Sequence, residues 1–184
     1  MNKTIPHTCP WWLLPTFDNP LRRLINNPQQ ILSRYVQPGD MVLDVGCGMG
    51  YFTLPLAELV GSEGCVLAAD IQQQMLDGLR YRAEDAGMLD RIRILRSAPN
   101  QIGLDCQLDF ALAFWMVHEV RQPEPFLQEI YTALKSGGRF LIVEPIIHVP
   151  NQAFEQTVRL ADRLGFNLQE KPQVKFSRAV LLYK

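Results

Sequence analysis

The sequence predicts an α/β fold: a doubly wound, mostly parallel sheet of about seven strands, helices on both faces and an antiparallel C-terminal edge. Three observations carry that expectation. Met41–Val45, Cys65–Asp70, Leu108–Phe114 and Arg139–Glu144 are short apolar runs without regular polar alternation, the mark of strands buried on both faces. Segments with the 3–4 residue apolar spacing of amphipathic helices separate them. The chain then closes on two strand-like runs, Phe166–Lys171 and Ser177–Tyr183, near enough to pair as a hairpin.

Each element follows from its own pattern. After Met41–Val45, Phe52, Leu54, Leu56, Ala57, Leu59 and Val60 give a helical apolar face, and Gly61-Ser62-Glu63-Gly64 is the loop into Cys65–Asp70. From Gln72 to Ala86, Met75, Leu76, Leu79, Ala83 and Ala86 form a core stripe that Gly87 closes. Arg91–Arg96 alternates as a strand. Pro123–Lys135 turns Phe126, Leu127, Ile130, Tyr131 and Leu134 inward, and Ser136-Gly137-Gly138 is the loop before Arg139–Glu144. Phe154, Val158, Ala161 and Leu164 mark a last helix that Gly165 ends.

Composition narrows the function classes. With 184 residues and 47% hydrophobic content the chain is one domain with a sizeable core. A formal net charge of -1 gives no electrostatic reason to expect nucleic acid or an anionic membrane as partner. Arg80, Arg82, Arg91, Arg93 and Arg96 cluster, but Glu84, Asp85 and Asp90 interleave with them, which reads as a solvated surface. Nothing resembles a signal peptide or an apolar membrane span, so the expectation is a soluble cytoplasmic protein. Cys9, Cys47, Cys65 and Cys106 lack zinc-like spacing or a CxxC pair, as reduced thiols do, and no metal is expected.

The functional signal centres on Met41–Tyr51. A buried strand carrying Asp44 stops at Gly46, Gly48 and Gly50, which alternate with Cys47 and Met49 before the next helix. Glycines there let the backbone turn tightly and approach a ligand without an intervening Cβ, and a strand, glycine turn and helix in that order bind nucleotide-type ligands. Cys47 is expected to offer only its backbone N–H. About 20 residues beyond Gly50, Asp70 ends the second strand, where an acid accepts hydrogen bonds from both ribose hydroxyls; alone it is equally a turn former. A dinucleotide fingerprint requires Gly-x-Gly-x-x-Gly, and here the third glycine arrives one residue early.

Gly-x-Gly-x-Gly preceded by a strand acid resembles motif I of the class I S-adenosylmethionine-dependent methyltransferases. Leu-Lys-x-Gly-Gly-Arg-Phe-Leu-Ile-Val-Glu-Pro at 134–145 resembles the segment around that family's fifth strand. The likeness spans about residues 39–184 and implies a Rossmann-like fold, S-adenosylmethionine as cofactor, S-adenosylhomocysteine as product and methyl transfer as the activity. It implies a cofactor site at Asp44, Gly46, Cys47, Gly48, Gly50, Asp70, Ile71, Ser97, Ala98 and Phe114. The family often has an acid at the adenine edge; here the chain reads Ser97-Ala98-Pro99-Asn100, so Ser97 or Asn100 is the substitute.

The acceptor side is expected where strands end. Trp115-Met116-Val117-His118-Glu119 leaves the Leu108–Phe114 strand, which makes His118 and Glu119 the candidate catalytic pair. Glu144 and His148 are further base candidates. A structural histidine is the bland alternative. Neither the Asn/Asp-Pro-Pro-aromatic signature of amino-group methyltransferases nor a Pro-Cys dipeptide is present; the chain looks most like the small-molecule, quinone-biosynthesis-like branch. A small organic acceptor follows, without nucleic acid or membrane partners. The rival classes are a nicotinamide-dependent oxidoreductase and a module that binds the cofactor without turnover.

Residues 1–38 read as an N-terminal cap before the 39–184 domain. Pro6, Pro10 and Pro15 forbid a long helix, Asp18 or Asn19 caps a short one at Pro20, Pro28 stops it, and Ile31, Leu32, Tyr35 and Val36 mark a second. Trp11 and Trp12, with Phe17 and Tyr35, offer walls for a planar acceptor, as a lid; the competing reading patches them onto the outside of the fold. His7-Thr8-Cys9 beside them is either part of that packing or a thiol or metal site.

Overall fold

The structure, a computed structural model, describes residues 26–99 and 101–184. Asn27 caps the first helix, α1 (Pro28–Leu32): its side-chain oxygen accepts from Gln30 N at 3.4 Å, and Pro28 lies in the first turn, where its missing N–H costs nothing. Then come β1 (Met41–Val45), α2 (Thr53–Val60), β2 (Cys65–Asp70), α3 (Gln73–Asp85), β3 (Ile92–Arg96) and β4 (Leu108–Phe114). α4 (Pro123–Ala133), β5 (Leu134–Pro145), α5 (Asn151–Arg163), β6 (Asn167–Glu170) and β7 (Ser177–Tyr183) complete the order.

The strands form one seven-stranded sheet in the order β3-β2-β1-β4-β5-β7-β6. β1 pairs in parallel with β2 and β4, β2 with β3, and β4 with β5. β7 is antiparallel to both β5 and β6. The expected doubly wound sheet with an antiparallel C-terminal edge is therefore the fold. Successive residues of each central strand feed opposite faces. Val42, Phe110 and Leu112 pack with α1, α2 and α3 through Leu32, Leu56 and Leu79. Leu43, Ala111 and Phe140 pack with α4 and α5 through Leu127, Ile130 and Phe154.

Three details differ from the sequence reading. β5 starts at Leu134, not Arg139: Leu134 pairs with Leu108 of β4, and beyond a register shift Gly137 N donates to Lys184 O at 2.9 Å and Lys184 N to Gly138 O at 3.0 Å. Ser136-Gly137-Gly138 thus lies within the strand, with Gly137 and Gly138 paired to Lys184. Between β3 and β4 the described residues hold no helix, only the Ala98–Gln101 bridge. Tyr35, expected among the lid aromatics, is buried: its ring stacks on Phe110 at 6.0 Å and its hydroxyl meets Glu170 of β6 at 2.5 Å. The remaining lid aromatics Trp11, Trp12 and Phe17, the thiol Cys9 and the helix expected at Pro20 lie outside the described residues.

Among the described residues no helix is long and apolar enough to cross a membrane, and Cys47, Cys65 and Cys106 are free thiols. Phe110 is fully buried in the sheet and stacks on Tyr35 just beyond α1. Phe110→Ala is expected to cost about 3–5 kcal/mol of stability, read as a lower urea midpoint at an unchanged slope.

Candidate ligand site at the carboxyl edge of the sheet

β1 and β4 are neighbours, but the helices that follow them cover opposite faces of the sheet. The carboxyl ends of both strands therefore open into a crevice, the place where such sheets bind ligands. A cavity of about 300 Å³ occupies it, lined on one side by Gly46–Met49, Asp70–Gln72 and Ser97–Pro99 and on the other by Phe114–Met116, His118, Glu119 and His148. That volume suits a small molecule.

The glycine turn is tied to β2 as well as β1. Gly46 N and Cys47 N both donate to Ala69 O, at 2.8 and 3.1 Å. The Cys47 N–H expected to face a ligand is thus already taken, and burial, with the nearby Asp44 and Asp70 charges, pushes its thiol well up. The three glycines do different jobs. A Cβ on Gly46 would meet Met116 Cγ at 2.8 Å and one on Gly50 would meet Leu79 Cδ1 at 2.4 Å, whereas one on Gly48 would enter open space. All three have positive φ. Asp44 is buried at the cavity floor, accepting from Thr53 Oγ1 at 2.6 Å.

Asp70 closes this half of the site. Its Oδ2 accepts from Gly48 N at 3.0 Å and its Oδ1 from Gln72 N at 2.9 Å. Burial raises its pKa, and the N–H donors of Gln72, Gly48 and Ile71 pull the other way. Ile71 is 39% exposed at the rim, an apolar surface beside a carboxylate. Ser97 lines the wall with a buried Oγ that has no partner among the described residues, while Ala98 N is engaged by Gln101 O at 2.9 Å. Asn100 lies outside the described residues.

The other half is made by strand exits. Phe114 packs on Phe52 at 4.2 Å and on Trp115 at 5.3 Å between ring centroids. Trp115 has a φ of +60°, rare for a bulky residue. Trp115 N donating to Val143 O at 2.7 Å and Nε1 to Ser177 Oγ at 2.9 Å hold it there. His118 then meets Glu144 of β5, not its chain neighbour Glu119: Nδ1 lies 2.5 Å from Oε2, and His118 N donates to Oε1 at 3.1 Å. Glu144, a base candidate also expected at the substrate pocket alongside Trp115, is instead buried behind His118 and off the cavity wall. His148 Nε2 approaches His118 Nε2 at 3.2 Å. Burial alone would lower the His118 pKa, but the Glu144 bond and charge, with Glu119, raise it overall.

One wall was invisible in the sequence. Glu129 on α4 accepts from the backbone N–H groups of Ile102, Gly103 and Leu104 at 2.8, 2.7 and 3.0 Å, pinning the β3–β4 loop beside Ser97. No local pattern announces a carboxylate that serves three amides 25–27 residues away.

This fold and cavity define a nucleotide-type α/β ligand-binding chain. A methyltransferase domain model matches residues 42–138, just over half of the chain, and the chain belongs to that family. Ubiquinone/menaquinone biosynthesis C-methyltransferase of Vibrio vulnificus is 27% identical over 136 residues, 73% of this chain and 51% of that protein. Demethylmenaquinone methyltransferase of Symbiobacterium thermophilum is 35% identical over 115 residues, 62% of this chain and 46% of that one. The chain thus spans about half the length of the curated relatives it matches. A SAM-dependent methyltransferase from Aquifex aeolicus superposes with a TM-score of 0.84 at 23% identity, covering 95% of this chain and 98% of that one, and so shares the fold.

Two outcomes follow from the geometry. Gly50→Ala and Gly48→Ala each incur the left-handed backbone cost of about 1–2 kcal/mol, but only Gly50→Ala also drives a Cβ into Leu79; thermal melts should show the larger loss for Gly50→Ala. His118, raised above its ordinary 6.5, adds stability that is fully present below that pH and fades as pH rises through the folded value. Denaturant titrations should find His118→Gln further below wild type near about pH 6 than near about pH 9.

Proposed function

We propose that this chain transfers a methyl group from S-adenosylmethionine to a small organic acceptor. The observation that carries the reading is one continuous cavity, in a methyltransferase-family chain, with Asp70 and Gly48 at one end and His118 at the other.

The residues present fit the cofactor. Open space over Gly48 admits a ligand against the backbone, and the unpartnered Ser97 Oγ supplies a hydrogen-bonding group at the adenine edge. The Asp70 carboxylate, with about four lone-pair sites, accepts from the backbone N–H groups of Gly48, Gln72 and Ile71 and keeps capacity for a ribose hydroxyl. Ile71 would cover one face of the base. Gly46 and Gly50 fix the turn's shape, Asp44 anchors it through Thr53, and Phe114 would wall the reactive end.

Bound there, the cofactor supplies an activated methyl on a sulfonium, which needs an in-line nucleophile more than acid or base help. The protein's part is orientation and exclusion of water. Trp115, fixed by Ser177 and Val143, and the Phe52–Phe114 pair form an apolar wall suited to a planar acceptor. The relatives' names, a ubiquinone/menaquinone biosynthesis C-methyltransferase and a demethylmenaquinone methyltransferase, support an aromatic or quinol-like acceptor. His118 and Glu119 both border this end.

Calorimetric titration tests the cofactor and label transfer tests the reaction. S-adenosylmethionine and S-adenosylhomocysteine should bind more tightly than NAD, and labelled methyl should pass to a demethylated quinol; tighter NAD binding overturns the assignment. Asp70→Ala should weaken S-adenosylmethionine binding by about 1–3 kcal/mol. An unchanged dissociation constant in a folded variant would remove Asp70 from the site.

A further inference from the structure

We infer that His118 is the general base of this site, poised by Glu144 and drained by His148, and that the acceptor therefore carries a removable proton, as a phenolic or enolic O–H does. The proposal rests on the methyl-transfer reading for what happens to the acceptor afterwards, but the proton path itself is written in the side chains.

Glu144 ends β5 in the core, where an ionised carboxylate needs partners. It takes two from one residue: the backbone N–H of His118 and the ring at Nδ1. A carboxylate accepts only, so the proton between them sits on Nδ1 when His118 is neutral. That tautomer leaves the lone pair on Nε2. With 23% of its side chain exposed, His118 lines the cavity, and Nε2 is directed towards His148 Nε2. His148 also lines the cavity, yet it sits exposed on the β5–α5 loop. The three groups thus run from a buried anion, through a ring at the acceptor end, to solvent.

The charged and titratable groups around His118 are Glu144 from β5, Glu119 on its own turn and His148 from the β5–α5 loop. In the step, the acceptor's O–H bond breaks with its pair left on oxygen, and the proton passes to His118 Nε2. The imidazolium is held against Glu144. Once its ring has yielded, His148 exchanges its Nε2 proton for one on Nδ1 through water; in that tautomer it accepts the imidazolium proton at Nε2 and releases the Nδ1 proton to water, which returns the resting pair and leaves no proton accumulated. His148 and the acceptor compete for the same lone pair, and the His148 ring must yield for the acceptor to approach. An acceptor whose nucleophilic atom already has a free pair, a sulfide or tertiary amine, gains nothing from this arrangement.

The chain has three histidines, so His7→Gln leaves only His118 and His148 in an imidazole nitrogen NMR titration of the full-length, ligand-free protein. The expected result is an Nδ1–H tautomer for His118, with His118 and His148 titrating as a coupled, two-inflection pair. Glu144→Gln should lower the His118 midpoint, since the lost anion no longer favours the imidazolium, and His148→Gln should reduce its curve to one inflection. An Nε2–H tautomer, or independent titration of the two rings, overturns the proposal. Should Glu144→Gln fail to fold, the wild-type tautomer and exposed His148→Gln decide it. A second arm uses 4-nitrophenol with S-adenosylhomocysteine present: the nitrophenolate absorbance should appear at lower pH with wild type than with His118→Gln, and equal curves overturn the base assignment. Absence of S-adenosylhomocysteine binding in calorimetry would instead sink the methyl-transfer reading and leave the imidazole result standing.

Discussion

The site depends on β1 being paired on both sides. With β2 on one flank and β4 on the other, both parallel, the chain leaves β1 over one face of the sheet and β4 over the other. Neither helix covers the seam between them, so the crevice is a consequence of strand order. It constrains the residues that cross it. Gly46 passes under Met116 with no room for a Cβ, Gly50 does the same under Leu79, and Met49 packs over Gly78 of α3, whose own Cβ position lies 2.9 Å from Met49 Cγ.

The two ends of the crevice are built from different materials. At the Asp70 end the groups are mostly backbone: the turn hangs on Ala69 O and Asp70, and Arg82 Nη1 of α3 donates to Met49 O at 3.0 Å. Asp70 therefore shapes the turn by itself, its burial raising the pKa while the N–H groups it accepts pull the other way. At the His118 end the groups are side chains on strand exits, and the strain at Trp115 is absorbed by two hydrogen bonds it donates to β5 and β7.

That difference explains what was legible in the sequence. Gly46, Gly48, Gly50 and Asp70 could be read because their meaning is local: a strand, a turn, and an acid at the next strand's end. The fold was legible for the same reason, apolar runs being set by burial on both faces. His118 and Glu144 could be named, but their partnership could not, since 26 residues separate them and only the register of β4 on β5 brings them together. Adjacency favoured Glu119, whereas the short 3₁₀ turn at Val117–Glu119 points the His118 ring at β5. Gly137 and Gly138 misled in the other direction, because the strand they extend is completed by the last residue of the chain.

A buried carboxylate at a strand end is tolerated only while its partners remain. Removing one member of such a pair strands the other's charge or hydrogen-bonding capacity in a low-dielectric site, at greater cost than replacing both. Glu144 and His118 therefore have to change together or not at all. Asp70 and the glycine turn make no hydrogen bond to them. The His118 end can thus change through residues 115–120 and 144–148 while the Asp70 end keeps its shape, which is how one fold accommodates many sites. A family member with His at the β4 exit but no acid ending β5 would lack the partner that holds the proton on Nδ1 and leaves the Nε2 lone pair towards the cavity. On the proposed chemistry, such a chain would have to act on an acceptor already deprotonated, or find its base elsewhere.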